Sequence, residues 1–301
     1  MTNPNKKYTG VIVPMVTPCT GKHQVDTIAL EKIVESFITA NASPFLLGTT
    51  GESVSVSKAQ QMQLVKTTVG VSKKRKMVYA GISGNCLEES IENGKTFADL
   101  GVDAVVAHLP FYYPLDTTQM LRYYEQIANN VPCPLILYNN PITTKYSVPI
   151  EVIEKLSYHP NIAGIKDSER GMERLDAALK LWSNRIDFVH LTGWAAQSAY
   201  ALLNGSDGII PSTGNVVPKL YSRLFDAAMN GDTALADQLQ DKANEISEIY
   251  QKDRNLSQSI PALKVMMSAY GLCEPFVLPP MYDLSKEEQE KIKKATRNIT
   301  Y

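Results

Sequence analysis

Asn161-Ile162-Ala163-Gly164-Ile165-Lys166-Asp167-Ser168 reads as a short apolar strand, Ile162 to Ile165, with a lysine where the strand should end. Lysine is rarely fully buried unless it is paired or functional, so Lys166 needs a reason to be there. Two readings compete. In one, Lys166 carries its charge out along its apolar stem and pairs with Asp167. In the other, desolvation disfavours the ammonium, lowers its pKa and leaves a free amine able to attack a carbonyl. The rest of the chain decides between them.

Outward from this stretch, short apolar runs alternate with amphipathic helical patterns. Gly10 to Thr17 is a β-rich run ended by Pro18, and Asp26 is placed to cap a helix over 27–40 with Leu30, Ile33, Val34 and Phe37 on one face. The second strand is Pro44 to Leu47. Ser57 caps a helix that runs into the basic stretch Lys73 to Lys76, which suits a helix C-terminus. Strands follow at Met77–Gly81, Ala104–His108 and Pro134–Tyr138, with helices over 88–100, from about 117 and over 149–156. After the Lys166 strand come Phe188–Thr192 and Gly208–Ile210, and a helix begins near Val217. Such continuous apolar strands are buried on both faces, as in a parallel sheet covered by helices. Eight βα units predict a closed (β/α)8 TIM barrel, here over residues 1–231. From 232 to 301 the pattern is helical only, near 233–251, 257–270 and 285–298. That predicts a C-terminal helical extension packed on the barrel.

Composition narrows the function. Hydrophobic residues make up 44% of the 301-residue chain and the formal net charge is -1, so a sizeable core is expected and a nucleic-acid or anionic-membrane partner is not. No apolar run reaches the length of a membrane span, and the residues before the first strand are polar, unlike a secretory leader. Cys19, Cys86, Cys133 and Cys273 lack zinc-type or redox-type spacing, and no HExxH pair occurs. The expectation is reduced thiols in a cytoplasmic protein, with no metal site. Neither a GxGxxG fingerprint nor a GxxxxGK[ST] loop is present.

In such a barrel the active site lies at the C-terminal ends of the strands. Strand two leads into Gly48-Thr49-Thr50-Gly51, whose backbone N–H groups and hydroxyls can hold a carboxylate, or can simply close a turn. Strand five delivers Tyr138, either a packed ring or a phenol placed to move protons beside Lys166. The loop after strand four presents Tyr112 and Tyr113, and His108 in strand four reads as hydrogen-bonded core. Ser168, Gly193 and Ile210, at the ends of strands six, seven and eight, are candidate substrate contacts.

Gly48-Thr49-Thr50-Gly51-Glu52, Tyr138-Asn139 followed by Pro141, and Gly164-Ile165-Lys166-Asp167 together resemble the dihydrodipicolinate synthase and N-acetylneuraminate lyase family of Schiff-base lyases, over essentially the whole chain. The resemblance implies that Lys166 forms an imine with pyruvate or another 2-oxo acid, with no separate cofactor. It also implies that Tyr138 shuttles protons, that Thr49 and Thr50 hold the carboxylate or relay protons, and that Tyr112 enters a neighbouring subunit's site in a homotetramer.

Two departures bear on the substrate. Thr143 stands where the synthase pattern has an arginine for a second carboxylate, and threonine cannot make that bidentate contact. Lys145, nearby, offers at most a point charge. Gly193-Trp194-Ala195-Ala196 stands where the sialic acid lyase pattern has Asp-Glu. The reading that follows is an aldolase cleaving or forming a 2-keto-3-deoxy sugar acid. The alternatives are condensation of pyruvate with aspartate semialdehyde, a dehydratase or deaminase on a 2-oxo acid, N-acetylneuraminate cleavage, and a non-catalytic 2-oxo acid sensor.

Overall fold

The computed structural model describes residues 6–299. The outermost ends of the two segments expected from the sequence, 1–5 and 300–301, lie outside the described residues. The barrel strands are β1 (Gly10–Pro14), β2 (Ser43–Leu46), β3 (Tyr79–Gly81), β4 (Ala104–His108), β5 (Leu135–Asn139), β6 (Ile162–Asp167), β7 (Val189–Thr192) and β8 (Gly208–Ile209). Each pairs in parallel with the next, and β8 returns to β1, so the sheet closes. Between and after them lie α1 (Thr27–Thr39), α2 (Lys58–Ser72), α3 (Leu87–Asp99), α4 (Thr117–Asn130), α5 (Pro141–Thr144), α6 (Ile150–Leu156), α7 (Met172–Trp182), α8 (Ser198–Leu203) and α9 (Pro218–Met229). Beyond α9 the chain continues as α10 (Thr233–Gln251), α11 (Leu256–Ala269) and α12 (Lys286–Arg297). This is a TIM barrel.

Local chemistry fixes the helix starts. Asp26 accepts from the Ala29 N–H, and Ser57 and Asp116 each form a reciprocal capping box with a glutamine three residues on. Two apolar layers result. Ile12, Phe45, Tyr79, Ile136, Tyr138 and Leu191 fill the barrel interior, while alternate residues such as Val13, Leu135, Leu137 and Ile165 face the helices. Gly164 is required by the close approach of β7, because a Cβ there would sit 2.5 Å from the Val189 carbonyl oxygen.

The structure moves several boundaries. The β-rich run from Gly10 stops as a strand at Pro14, since beyond it Val16 N–H is claimed by the Asn215 side chain rather than by a neighbouring strand. Strand three begins at Tyr79, not Met77. Lys166 lies inside β6, which extends to Asp167 because that residue still pairs with Thr192 of β7. Helices α5 and α7 were not read from the sequence. α5 is a single short turn, and α7 begins after a glycine at φ +136° without a side-chain cap.

The turn after β2 is held from outside the barrel. Leu47 and Glu52 both adopt left-handed backbone, at φ +57° and +56°, a conformation that must be imposed by the surroundings. Glu52 is fully buried, pairs with Lys264 of α11 at 2.5 Å, and accepts the Leu278 N–H at 2.7 Å. Lys264 also donates to the Phe276 carbonyl at 2.8 Å. Removing one partner leaves an uncompensated buried charge, so Lys264→Met is expected to cost about 3–5 kcal/mol. The double change Glu52→Gln with Lys264→Met should recover part of that loss. Urea unfolding of the two variants checks this, and equal destabilisation of both would contradict it.

Candidate active site

Lys166 and Tyr138 stand side by side because β5 and β6 pair in register at these two residues. Both side chains point into the barrel at its C-terminal end. The Lys166 Nζ lies 3.9 Å from the centroid of the Tyr138 ring and 4.8 Å from that of Phe45. Lys166 is only 4% exposed, and among the described residues no carboxylate lies within ion-pair range of it. Burial therefore holds its pKa below the usual lysine value, with Tyr138 opposing the shift.

Asp167 is not the partner of Lys166. Being the next residue in a strand, it faces the opposite side of the sheet. There it meets Arg174 of α7 at 2.8 Å, and it accepts from the Asn139 side chain at 2.9 Å and the Glu169 N–H at 3.0 Å. Burial raises the Asp167 pKa, with Arg174 the leading opposing influence. The competing reading, in which Lys166 snorkels out to pair with Asp167, does not hold.

Around the amine the strand ends converge. The Thr49 hydroxyl lies 3.4 Å from the Tyr138 hydroxyl and accepts from the Asn140 side chain at 3.3 Å. Together with Thr50, Ser168, Gly193 and Ile210 they line one cavity of about 690 Å³. At Gly193 a Cβ would fall 2.0 Å from the Ser168 hydroxyl oxygen and 3.2 Å from the Asp167 carbonyl oxygen, so any larger residue there requires Ser168 to shift. His108 is buried against the Tyr138 ring, its Nδ1 lies 2.7 Å from the Leu109 carbonyl, and burial lowers its pKa, all as expected of a core histidine.

Four of the residues singled out in the sequence stand apart from the cavity wall. Gly48 underlies the turn. Thr143 donates to the Asn140 carbonyl at 3.1 Å inside α5, and its neighbour Ile142 takes the lining position. Tyr112 is 73% exposed on the loop after β4, edge-on to Tyr113. Lys145 is exposed and bonds back to the Ile142 carbonyl.

Other lining residues were not anticipated. α10 closes one side of the cavity with Glu248 and Tyr250, the turn into α11 adds Arg254, and the β6 loop adds Arg170. The Tyr250 hydroxyl lies 2.7 Å from that of Ser212 and 3.0 Å from that of Thr213, tying α10 to the strand-eight loop. Among the described residues no group of acidic, histidine or cysteine side chains forms a metal site, and no helix is long and apolar enough to cross a membrane.

Residues 7–299 match the dihydrodipicolinate synthetase family. The chain belongs to that family. Its members are class I pyruvate-dependent lyases and aldolases, and this protein is an enzyme of that class. A 4-hydroxy-tetrahydrodipicolinate synthase of Legionella pneumophila is 30% identical over 97% of this chain and 99% of its own. A probable 2-dehydro-3-deoxy-D-pentonate aldolase of Escherichia coli is 28% identical over 95% of this chain and 96% of its own. Among solved structures, the Bacteroides thetaiotaomicron dihydrodipicolinate synthase superposes with a TM-score of 0.92 at 32% identity, covering 99% of this chain and 100% of that one. YagE of E. coli, in complex with pyruvate, gives 0.91 at 26% identity over 97% and 98%.

The Asp167–Arg174 pair yields a pH prediction. Asp167 has a folded pKa above its unfolded value, so its contribution to stability falls as pH rises from the unfolded pKa through the folded one. Removing Arg174 extends that window upward. Arg174→Leu is expected to cost about 3–5 kcal/mol at neutral to mildly alkaline pH and distinctly less at lower pH, because protonating Asp167 removes the uncompensated buried charge. Urea unfolding at the two pH values checks the difference, and an equal loss at both contradicts it.

Proposed function

We propose that this protein is a Schiff-base aldolase that forms or cleaves a 2-keto-3-deoxy sugar acid, with pyruvate as one reactant. The observation that carries this reading is the desolvated, carboxylate-free amine of Lys166 packed against Tyr138. In the cleavage direction the Lys166 amine attacks C2 of the 2-oxo acid, Tyr138 gives its phenolic proton to the departing oxygen, and water leaves, giving an iminium and a Tyr138 phenolate. Tyr138 takes the proton of the C4 hydroxyl, the C3–C4 bond breaks, and its electron pair enters the iminium as an enamine. The aldehyde departs, C3 is protonated, and hydrolysis returns pyruvate and the free amine. The donors of the Thr49-Thr50 turn hold the carboxylate, and the Thr49 hydroxyl links Tyr138 to Asn140. No separate cofactor is needed, because the electron sink is the imine on Lys166.

Thr143 favours an aldolase over condensation with aspartate semialdehyde. It lies off the cavity wall with its hydroxyl committed to the Asn140 carbonyl, so no bidentate cation comes from the β5 loop. The synthase activity carried by the Legionella relative's name remains the second reading. Ala195 and Ala196 line the cavity without carboxylate acceptors, which weighs against N-acetylneuraminate. The exposed Tyr112 supports the proposal that it enters a neighbouring subunit's site in a homotetramer.

Pyruvate with borohydride should add a stable mass to the chain that maps to Lys166 and is absent in Lys166→Ala. An adduct on another lysine would overturn the role given to Lys166, and no adduct at all would favour a non-covalent sensor. Tyr138→Phe should still trap pyruvate but lose about 10²–10⁴ in turnover. On substrate identity, kcat/KM for cleaving a short 2-keto-3-deoxy acid is expected to exceed that for semialdehyde condensation, and the reverse order would establish the second reading.

A further inference from the structure

The cavity of about 690 Å³ is far larger than a three-carbon acid requires, so most of it belongs to the second reactant or to the rest of the cleaved substrate. Its inner end holds Lys166, Tyr138 and the threonine turn. Its other charged lining residues are Arg170, Arg254 and Glu248, two cations against one carboxylate. Arg170 is exposed on the loop that follows Lys166, and among the described residues it has neither an ion pair nor a hydrogen bond. Arg174, a few residues on, is by contrast fully engaged by Asp167, Glu169 and the Val148 carbonyl. Arg254 begins the turn into α11. It uses one guanidinium nitrogen on the Ile249 carbonyl at 3.2 Å, which leaves its remaining donors for a ligand. Two guanidinium groups with free donors, on separate elements, thus line one cavity, and guanidinium is the side chain best suited to hold a carboxylate.

We propose that Arg170 and Arg254 bind a carboxylate at the far end of the substrate chain, so that the preferred substrate is a 2-oxo acid with a second, terminal carboxylate. The proposal rests on the Schiff-base reading and adds the substrate's far end to it. It also places the second anion site on the β6 loop and the α10–α11 turn, and not on the β5 loop, where Thr143 offers none.

Borohydride trapping tests it without assuming a full substrate. The concentration that half-saturates trapping is measured for 2-oxoglutarate against 2-oxopentanoate, and for 2-oxoadipate against 2-oxohexanoate, with pyruvate as control. Each pair differs only in a terminal carboxylate. At least one dicarboxylate is expected to saturate at about a 10-fold lower concentration than its methyl-ended counterpart. That preference should shrink with added salt, fall in Arg170→Ala and in Arg254→Ala, vanish in the double variant, and survive in part in Arg170→Lys. A pyruvate adduct without any such preference, or a preference that persists in the double variant, overturns the proposal. Absence of the pyruvate adduct itself would instead defeat the underlying Schiff-base reading.

Discussion

The amine of Lys166 is kept out of water and out of reach of any carboxylate, and much of the surrounding structure serves that condition. Burial inside the barrel disfavours the ammonium, and an adjacent counter-ion would cancel the effect. The strand geometry prevents this, because the nearest acidic residue in sequence, Asp167, faces the other side of the sheet and is held there by Arg174 and Asn139. What touches the Lys166 Nζ instead is aromatic: the Tyr138 ring at 3.9 Å and the Phe45 ring at 4.8 Å. These faces stabilise a cation far less than a carboxylate does.

A reactive amine is useful only if the groups around it hold still. The threonine turn after β2 carries two left-handed residues, one of which is Glu52, buried in its pair with Lys264. Through that pair α11 fixes the turn from outside the barrel, while α10 reaches the strand-eight loop through Tyr250. The helices after β8 thus take part in the site twice, by bracing the threonine turn and by supplying one wall of the cavity with Glu248 and Arg254.

The barrel was legible in the sequence because continuous apolar strands and capped amphipathic helices alternate with a regular period, and both signals are local. The placement of Lys166 beside Tyr138 was legible for the same reason, since consecutive strands of a parallel barrel put their C-terminal ends together. The pairing of Asp167 was not. Arg174 sits on α7, a helix without a side-chain cap that follows a left-handed glycine, so the element bearing the partner went unread. The Glu52–Lys264 pair joins residues far apart in the chain, and nothing local marks Lys264 as buried beside a glutamate rather than snorkelling. The same holds for Arg170 and Arg254. Each looks like an ordinary surface charge until the fold brings the β6 loop and the α10–α11 turn to one cavity.

The most direct test of the central claim is the pKa of Lys166 in the folded protein. Competitive labelling with acetic anhydride from about pH 6 to about pH 12, read peptide by peptide with mass spectrometry, gives the titration of each lysine. The account predicts that Lys166 becomes a free amine at a pH clearly below the ordinary lysine value of about 10.4. A transition at or above that value would mean that the ammonium is stabilised where it sits, and would contradict the account.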